Sequence, residues 1–457
     1  MTKRGLPFEI GEAGNRCNHG KGCSLRPLLS PELRDACEES PFLSDYLHTL
    51  PVQRIGMPTY YPVLSRDLGN LEMPNIIYPI QNGLYVHIYP DRGARDYYIT
   101  IEPDLTLDLD DLTQQIESKL LDYADRIGAA ETEEERRQAL LDVIDDLCIA
   151  EGDDGAAARG PDGQVTVTLS GKLVVSAREL EGLKYRLLRD KIGLGVLQPL
   201  LEDPYIEDIS CSGTGPIFIE HKIFKSVQSS VVFDTLDELD NFVVWLGEWI
   251  KRPVTVRNPI VDAVLPDGSR INIVYGREIA TRGSNFTIRK FSDKPMSILQ
   301  LIEFGTLDYT MAAYLSFMLE EGLNVFVAGA TASGKTTLLN ALNTFILPDA
   351  KIVTIEDTPE VQVPHKNWVR EVTRGAAQGE KGGEVGMFEL LKAALRQRPD
   401  RFIIGEIRGV EGAIAFQAMQ TGHGVMSTFH AASVERLIQR LTGDPINVPK
   451  TYIDNLN

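Results

Sequence analysis

NVFVAGATASGKTTLLNAL, residues 324–342, sets a glycine-rich octet between an apolar strand and the opening of a helix. The octet is Gly329-Ala330-Thr331-Ala332-Ser333-Gly334-Lys335-Thr336, which fits G-x-x-x-x-G-K-[ST] at every fixed position. Val325, Phe326, Val327 and Ala328 before it have the β-branched, apolar character of a buried parallel strand. Thr337, Leu338, Leu339, Ala341 and Leu342 after it begin a helix. Strand, glycine loop and helix, in that order, make a phosphate cradle. Glycines let backbone N–H groups turn inward, and the helix N-terminus adds partial positive charge. Lys335 is placed to reach the β- and γ-phosphates and Thr336 to hold Mg²⁺; Gly329 through Thr337 form the nucleotide-binding segment.

Outward from the cradle, short apolar strands are predicted at 323–328, 351–355, 401–405 and 424–428, with helical patterns between them. That alternation is an open, mainly parallel α/β sheet. Acids stand at the ends of two strands: Glu356-Asp357-Thr358-Pro359-Glu360 after the second and Glu406 after the third. Ligands of such sheets bind outside the carboxyl ends of the strands. Glu406 closes the apolar run RFIIG, the pattern of a carboxylate that holds Mg²⁺ directly or through water, as Thr336 does. One strand-end carboxylate should orient the attacking water. His430, in TGHGVMSTFHA (421–431), also follows a strand; it is either a structural histidine or a catalytic or γ-phosphate-sensing one.

The remaining chain supplies the other domains. With 457 residues, two or three domains are expected. Residues 1–50 read as a polar, irregular arm in which Cys17, His19, Cys23 and Cys37 are either ordinary thiols and imidazole or a small zinc or iron–sulfur knuckle. Residues 51–150 combine a strand at Leu84–Tyr89 with one helical stretch from Asp104 to Leu147, whose acidic run Glu131–Glu135 suits a helix start. The glycine-rich EGDDGAAARGPDG, 151–163, is the linker. Residues 164–290 follow as an α+β module. It has helices at Ala177–Leu201 and Leu236–Ile250, a hairpin turning at Pro266-Asp267-Gly268, and a strand at Phe286–Phe291. Trp245 and Trp249 share one face of the second helix and read as core. Residues 296–457 form the nucleotide module.

Composition excludes several classes. A net charge of −19 argues against a general nucleic-acid binder. Five cysteines in so long a chain do not make a disulfide scaffold. No run of about 18 apolar residues marks a membrane span, and the N-terminus lacks a secretory core.

Four motifs in order, GATASGKT (329–336), IEDTPE (355–360), RFIIGEIRG (401–409) and TGHGVMSTFHA (421–431), resemble the type II/type IV secretion ATPase superfamily of GspE-like secretion motors, pilus assembly and retraction ATPases and archaellum motors. The segment RIGMPTYYPVLSRDL with NIIYPI and HIYPD is similar to the archaeal members. The resemblance implies a RecA-like P-loop ATPase domain, preceded by a PAS-like α+β domain and an N-terminal α+β docking domain. It implies a homo-hexameric ring at the cytoplasmic face of the cell membrane. ATP and Mg²⁺ would be its cofactors and a polytopic membrane platform protein its partner. Hydrolysis would power protein secretion or filament assembly.

Carried onto this chain, the resemblance makes Glu356 the residue that polarises water, Glu406 the support for Mg²⁺ and His430 the γ-phosphate contact. It makes Arg270 and Arg289 the arginines that reach the phosphates from the second domain; from the residues alone they read as surface. Arg396 and Arg398 are further candidates for a subunit interface. The family continues past the histidine box, whereas this chain ends at DPINVPKTYIDNLN, so the ATPase module is expected to be incomplete at its C-terminus. Two other readings stand against the motor. One is a nucleic-acid-translocating ATPase, which the acidic balance and the lack of a basic, aromatic-laced loop disfavour. The other is a nucleotide-gated scaffold, which intact Lys335, Glu356 and Glu406 disfavour.

Overall fold

The computed structural model describes residues 5–8, 23, 25–91, 93, 95–150, 166–168, 171–291, 295–331, 333–374 and 385–456. The fold is mixed α/β and divides into two units, one running to Phe291 and one starting at Ser292.

The strands of the first unit are β1 (Thr59–Tyr60), β2 (Ile76–Pro79), β3 (Tyr85–Tyr89), β4 (Tyr97–Ile101), β5 (Cys148–Ala150), β6 (Leu173–Val175), β7 (Ile206–Cys211), β8 (Gly215–His221), β9 (Lys225–Phe233), β10 (Ile260–Val264), β11 (Arg270–Val274) and β12 (Asn285–Arg289). Ten of them make one sheet in the order β1-β2-β3-β4-β9-β8-β7-β12-β11-β10. The segments expected as separate modules meet in that sheet, where β4 runs parallel to β9 with Tyr97 opposite Gln228 and Tyr98 opposite Ser229. The 151–163 linker lies outside the described residues.

A buried polar cluster joins the same two halves. Both tyrosine hydroxyls of Tyr78 (β2) and Tyr98 (β4) donate to Asp203 Oδ2, at 2.6 and 2.7 Å, and the Tyr205 N–H donates to Oδ1 at 2.7 Å. His221 Nδ1 accepts the N–H groups of Ile223 and Phe224, so its proton sits on Nε2, 3.2 Å from the Tyr78 hydroxyl. Burial pushes this imidazole down to about 4, keeping it neutral. Every member is satisfied, which is what lets such a cluster sit in a core.

Local chemistry explains where the elements depart from expectation. Two helices, Pro31–Glu39 and Pro41–Thr49, stand in the stretch read as irregular. Each starts Ser-Pro, and the Ser30 hydroxyl accepts the Leu33 N–H while proline takes the first helical position. Their buried Leu33, Leu43, Tyr46 and Leu47 pack on Tyr85 and Tyr89, and the strand Tyr85–Tyr89 is buried on both faces. The long helix expected over 104–147 is broken. Gly128 ends one piece, and a Thr132–Glu135 capping box starts Glu133–Leu147 afresh, with the acidic run as its first turn. The helix expected over 177–201 stops at Lys191, ahead of Gly193 and of Gly195, whose φ of +55° leaves the helical region. The helix read over 236–250 forms as Leu236–Trp249, and the hairpin read over 264–274 forms with its first strand starting earlier, at Ile260, and Gly268 at φ +87° in the turn.

The second unit holds β13 (Val325–Gly329), β14 (Ile352–Glu356), β15 (Trp368–Val372), β16 (Arg401–Glu406) and β17 (Gly424–His430), all parallel, in the order β13-β17-β16-β14-β15. Helices between them bury β14, β16 and β17 among apolar side chains. Arg401 anchors the start of β16: its buried guanidinium donates to the carbonyls of Leu319 and Leu323 at 2.9 and 3.0 Å, at the end of the helix Tyr309–Glu320. Among the described residues no helix is long and apolar enough to cross a membrane.

Candidate active site

Because all five strands of the second unit are parallel, their carboxyl ends share one edge, and the chemistry read from the sequence collects there. At the end of β13, Gly329 lies opposite His430 of β17. Next along, Thr428 of β17 lies opposite Glu406 of β16, and β16 lies beside β14, which ends in Glu356. Four separated motifs thus become one row.

The loop after β13 needs its glycines. A Cβ at Gly329 would stand 2.5 Å from the Ser333 hydroxyl, and Gly334 caps the helix Lys335–Leu342 at φ +83°. The Ser333 hydroxyl and the Lys335 ammonium both donate to the Ala330 carbonyl, at 2.8 and 2.6 Å. Lys335 therefore lies folded over the loop it follows, and Thr336 and Thr337 form the first turn beside it. Ala332 lies outside the described residues.

Glu406 is shared between an imidazole and a guanidinium. Its Oε1 stands 3.0 Å from His430 Nε2, and its Oε2 accepts from the Arg408 guanidinium at 2.5 Å. The Glu406 bond, with the carboxylates of Asp357 and Glu360 beyond it, holds the Arg408 guanidinium above its ordinary value. His430 is in turn fixed by the next helix, Val434–Thr442, whose Arg440 donates to the His430 carbonyl and lies 5.1 Å over the Phe429 ring.

Glu356 has a different environment. Only 1% of it is exposed. Oε1 accepts the N–H groups of Glu360 and Val361 at 2.8 and 2.7 Å, while Oε2 has no hydrogen-bond partner and stands 3.7 Å from Arg370 Nε. Burial raises this carboxyl to about 7, against the two N–H groups and Arg370, which lower it. Gly405 makes the close approach possible: a Cβ there would stand 3.1 Å from Glu356 Cγ.

Sequence reading missed three participants. Glu411 is buried and accepts the N–H groups of Arg408 and Gly409 at 2.7 and 2.6 Å, shaping the turn that carries Arg408. Arg408 and Glu360 were read only as parts of their motifs. The signal for Glu411 was its place three residues past Arg408 at a helix start, a short-range acceptor for free N–H groups.

Other candidates lie elsewhere. Arg270 and Arg289 belong to the first unit, opposite each other on β11 and β12. Arg396 and Arg398 are exposed after the helix Met387–Ala394. Cys17 and His19 lie outside the described residues. Cys23 Sγ is 3.3 Å from His48 Nε2, and burial, with Cys23 nearby, pushes the Cys37 thiol up to about 12. Among the described residues no three acidic, cysteine or histidine side chains form a group that could hold a metal.

A parallel sheet with a phosphate-type loop, two strand-end carboxylates and a strand-end histidine defines a nucleotide-binding α/β protein. Comparison with known proteins narrows the class. The family model described as "Type II/IV secretion system protein" matches residues 190–447, more than half of the chain, and the chain belongs to that family. The uncharacterized protein MJ0900 of Methanocaldococcus jannaschii is 44% identical over 434 residues, covering 94% of this chain and 78% of that protein. The type IV secretion system protein PtlH of Bordetella pertussis is 33% identical over 272 residues, 54% of this chain and 79% of PtlH. Among solved structures, the ATPase DotB of Legionella pneumophila shares 20% identity over 56% of this chain and 69% of its own, with a TM-score of 0.42.

Proposed function

We propose that the chain is an Mg²⁺-dependent ATPase working as a homo-hexameric motor. Hydrolysis would drive protein secretion or assembly of a type IV pilus- or archaellum-like filament, through a membrane platform protein at the cytoplasmic face. The observation that carries the reading is the row Gly329, His430, Glu406, Glu356 along one edge of a parallel sheet, with Lys335 in the helix start that follows Gly329, within a member of the secretion family. In this reading the second unit is a RecA-like ATPase domain. The 164–290 segment is PAS-like, and the strands before it form a docking region.

Each residue then has a role set by its chemistry. Lys335 leaves the Ala330 carbonyl for the β- and γ-phosphates, and the backbone N–H groups of 329–337 surround them. The Thr336 hydroxyl and Glu406 carboxylate are hard oxygen donors of the kind Mg²⁺ takes; the ion would neutralise phosphate charge. Glu356, whose Oε2 lacks a donor and whose proton affinity lies near neutrality, accepts the proton of the attacking water. His430, held by Glu406 and Arg440, contacts the γ-phosphate. Arg270 and Arg289 supply planar, permanently charged donors to the transition state.

ATP turnover measured against protein concentration, with and without Mg²⁺, tests this reading. A rate that needs Mg²⁺, rises steeply with concentration and is absent in Lys335→Ala supports an assembled motor. Turnover that persists in Lys335→Ala, or stimulation by DNA in place of concentration dependence, sinks it.

A further inference from the structure

Four charged residues stand side by side across four neighbouring strands of the first unit. Arg270 on β11 is in register with Arg289 on β12, Arg289 with Asp208 on β7, and Asp208 with Glu220 on β8. Residues in register share a face of the sheet, so the row reads cation, cation, carboxylate, carboxylate. Like charges directly opposite one another oppose folding, and here they occur at both ends of the row. Sheet stability alone would favour alternation. Departures from a local rule of this kind gather at functional sites. The β7–β8 register also shifts between Ile206 and Asp208, an irregularity that re-aims a side chain.

The attraction at the centre of the row is slack. Arg289 Nε is 3.9 Å from Asp208 Oδ1, with the two side chains 62% and 41% exposed. Both border a cavity of about 590 Å³ on the sheet face, together with Glu220, Thr287 and Phe218. An exposed pair at that separation contributes little, so an arriving anion displaces it readily.

We infer that Asp208 is a positioning residue that tethers Arg289 and competes with the ATP phosphates for its guanidinium. The inference rests on the reading of Arg289 as a phosphate-reaching arginine. With no phosphate present, Asp208 offsets the charge of Arg289 and keeps it aimed along the sheet. When phosphate engages, the tether is exchanged for a charge-assisted hydrogen bond at small cost. The expected consequence is a nucleotide affinity set below what the two arginines alone would give.

The test is steady-state turnover of the assembled protein with MgATP for Asp208→Asn, Asp208→Glu, Arg289→Ala and the double variant Asp208→Asn/Arg289→Ala. Removing the tether should lower KM by a factor of about two to five without raising kcat, and Asp208→Glu should restore the wild-type KM. The drop should shrink at high salt and vanish in the Arg289→Ala background, because Asp208 acts through that guanidinium. An unchanged or raised KM in Asp208→Asn overturns the inference. So does a drop that persists without Arg289, which would mean that Asp208 repels nucleotide directly. If Arg289→Ala alone leaves both KM and kcat at wild type, the arginine reading itself has failed, and the tether falls with it.

Discussion

Asp203 in the first unit and Glu356 in the second are buried to the same degree, at 0% and 1% exposure, yet their surroundings ask different things of them. Asp203 accepts three donors, two tyrosine hydroxyls and a backbone N–H, spread over both oxygens. Glu356 has two backbone N–H groups on one oxygen and none on the other. A buried carboxyl whose acceptors are filled ties elements together. One left half-filled stores free energy that a proton or a ligand can release. Location agrees: Asp203 joins strands from both halves of a ten-stranded sheet, whereas Glu356 ends a strand at the ligand edge of a parallel one.

The sharpest way to break this contrast is Glu356→Gln. The amide oxygen can keep the bonds to Glu360 and Val361, so the fold should persist while turnover falls by about 10²–10⁴. Stability carries an independent signature. Burial raises this carboxyl from 4.5 to about 7. Its favourable contribution to folding is therefore complete below pH 4.5 and is lost as pH rises through 7. Glutamine does not ionise, so thermal melting of the variant should match wild type near pH 5 and exceed it near pH 8. The same titration makes wild-type kcat/KM rise as pH passes upward through about 7. A variant that melts lower than wild type at pH 8 would mean that Glu356 is structural, like Asp203.

His430→Ala removes the imidazole from Glu406 and should cost about ten- to hundredfold in turnover, with an unchanged denaturation midpoint. A loss of stability without a loss of turnover would move His430 to the structural side. Asp203→Asn should do the reverse. It puts an amide donor where two hydroxyls also donate, so the urea midpoint of the first unit should fall by an amount equivalent to about 1–3 kcal/mol. Turnover of the second unit's chemistry, measured per folded molecule, should remain. The smallest effect belongs to Tyr98→Phe, about 0.5–1.5 kcal/mol for one hydroxyl, because Tyr78 and Tyr205 still serve Asp203.

The sequence by itself marked the parallel α/β unit and the residues that collect at the carboxyl edge of its sheet. The octet 329–336, the apolar runs ending in Glu356, Glu406 and His430, and their order were all legible, because each depends on local patterns of period, glycine and terminal charge. The capping serines and threonines were local too: Thr132–Glu135 caps the start that the acidic run marked, and Ser30-Pro31 marks one that a broader reading passed over. Only the tertiary structure decided the rest. The pairing of β4 with β9 links residues more than a hundred positions apart, and no local pattern encodes a partner at that distance. The same holds for the proton economy. That Glu356 lacks a donor on one oxygen while Asp203 lacks none follows from which distant N–H and hydroxyl groups the fold brings near. Two carboxylates that look alike in the chain differ because burial and hydrogen bonding are properties of the assembled core.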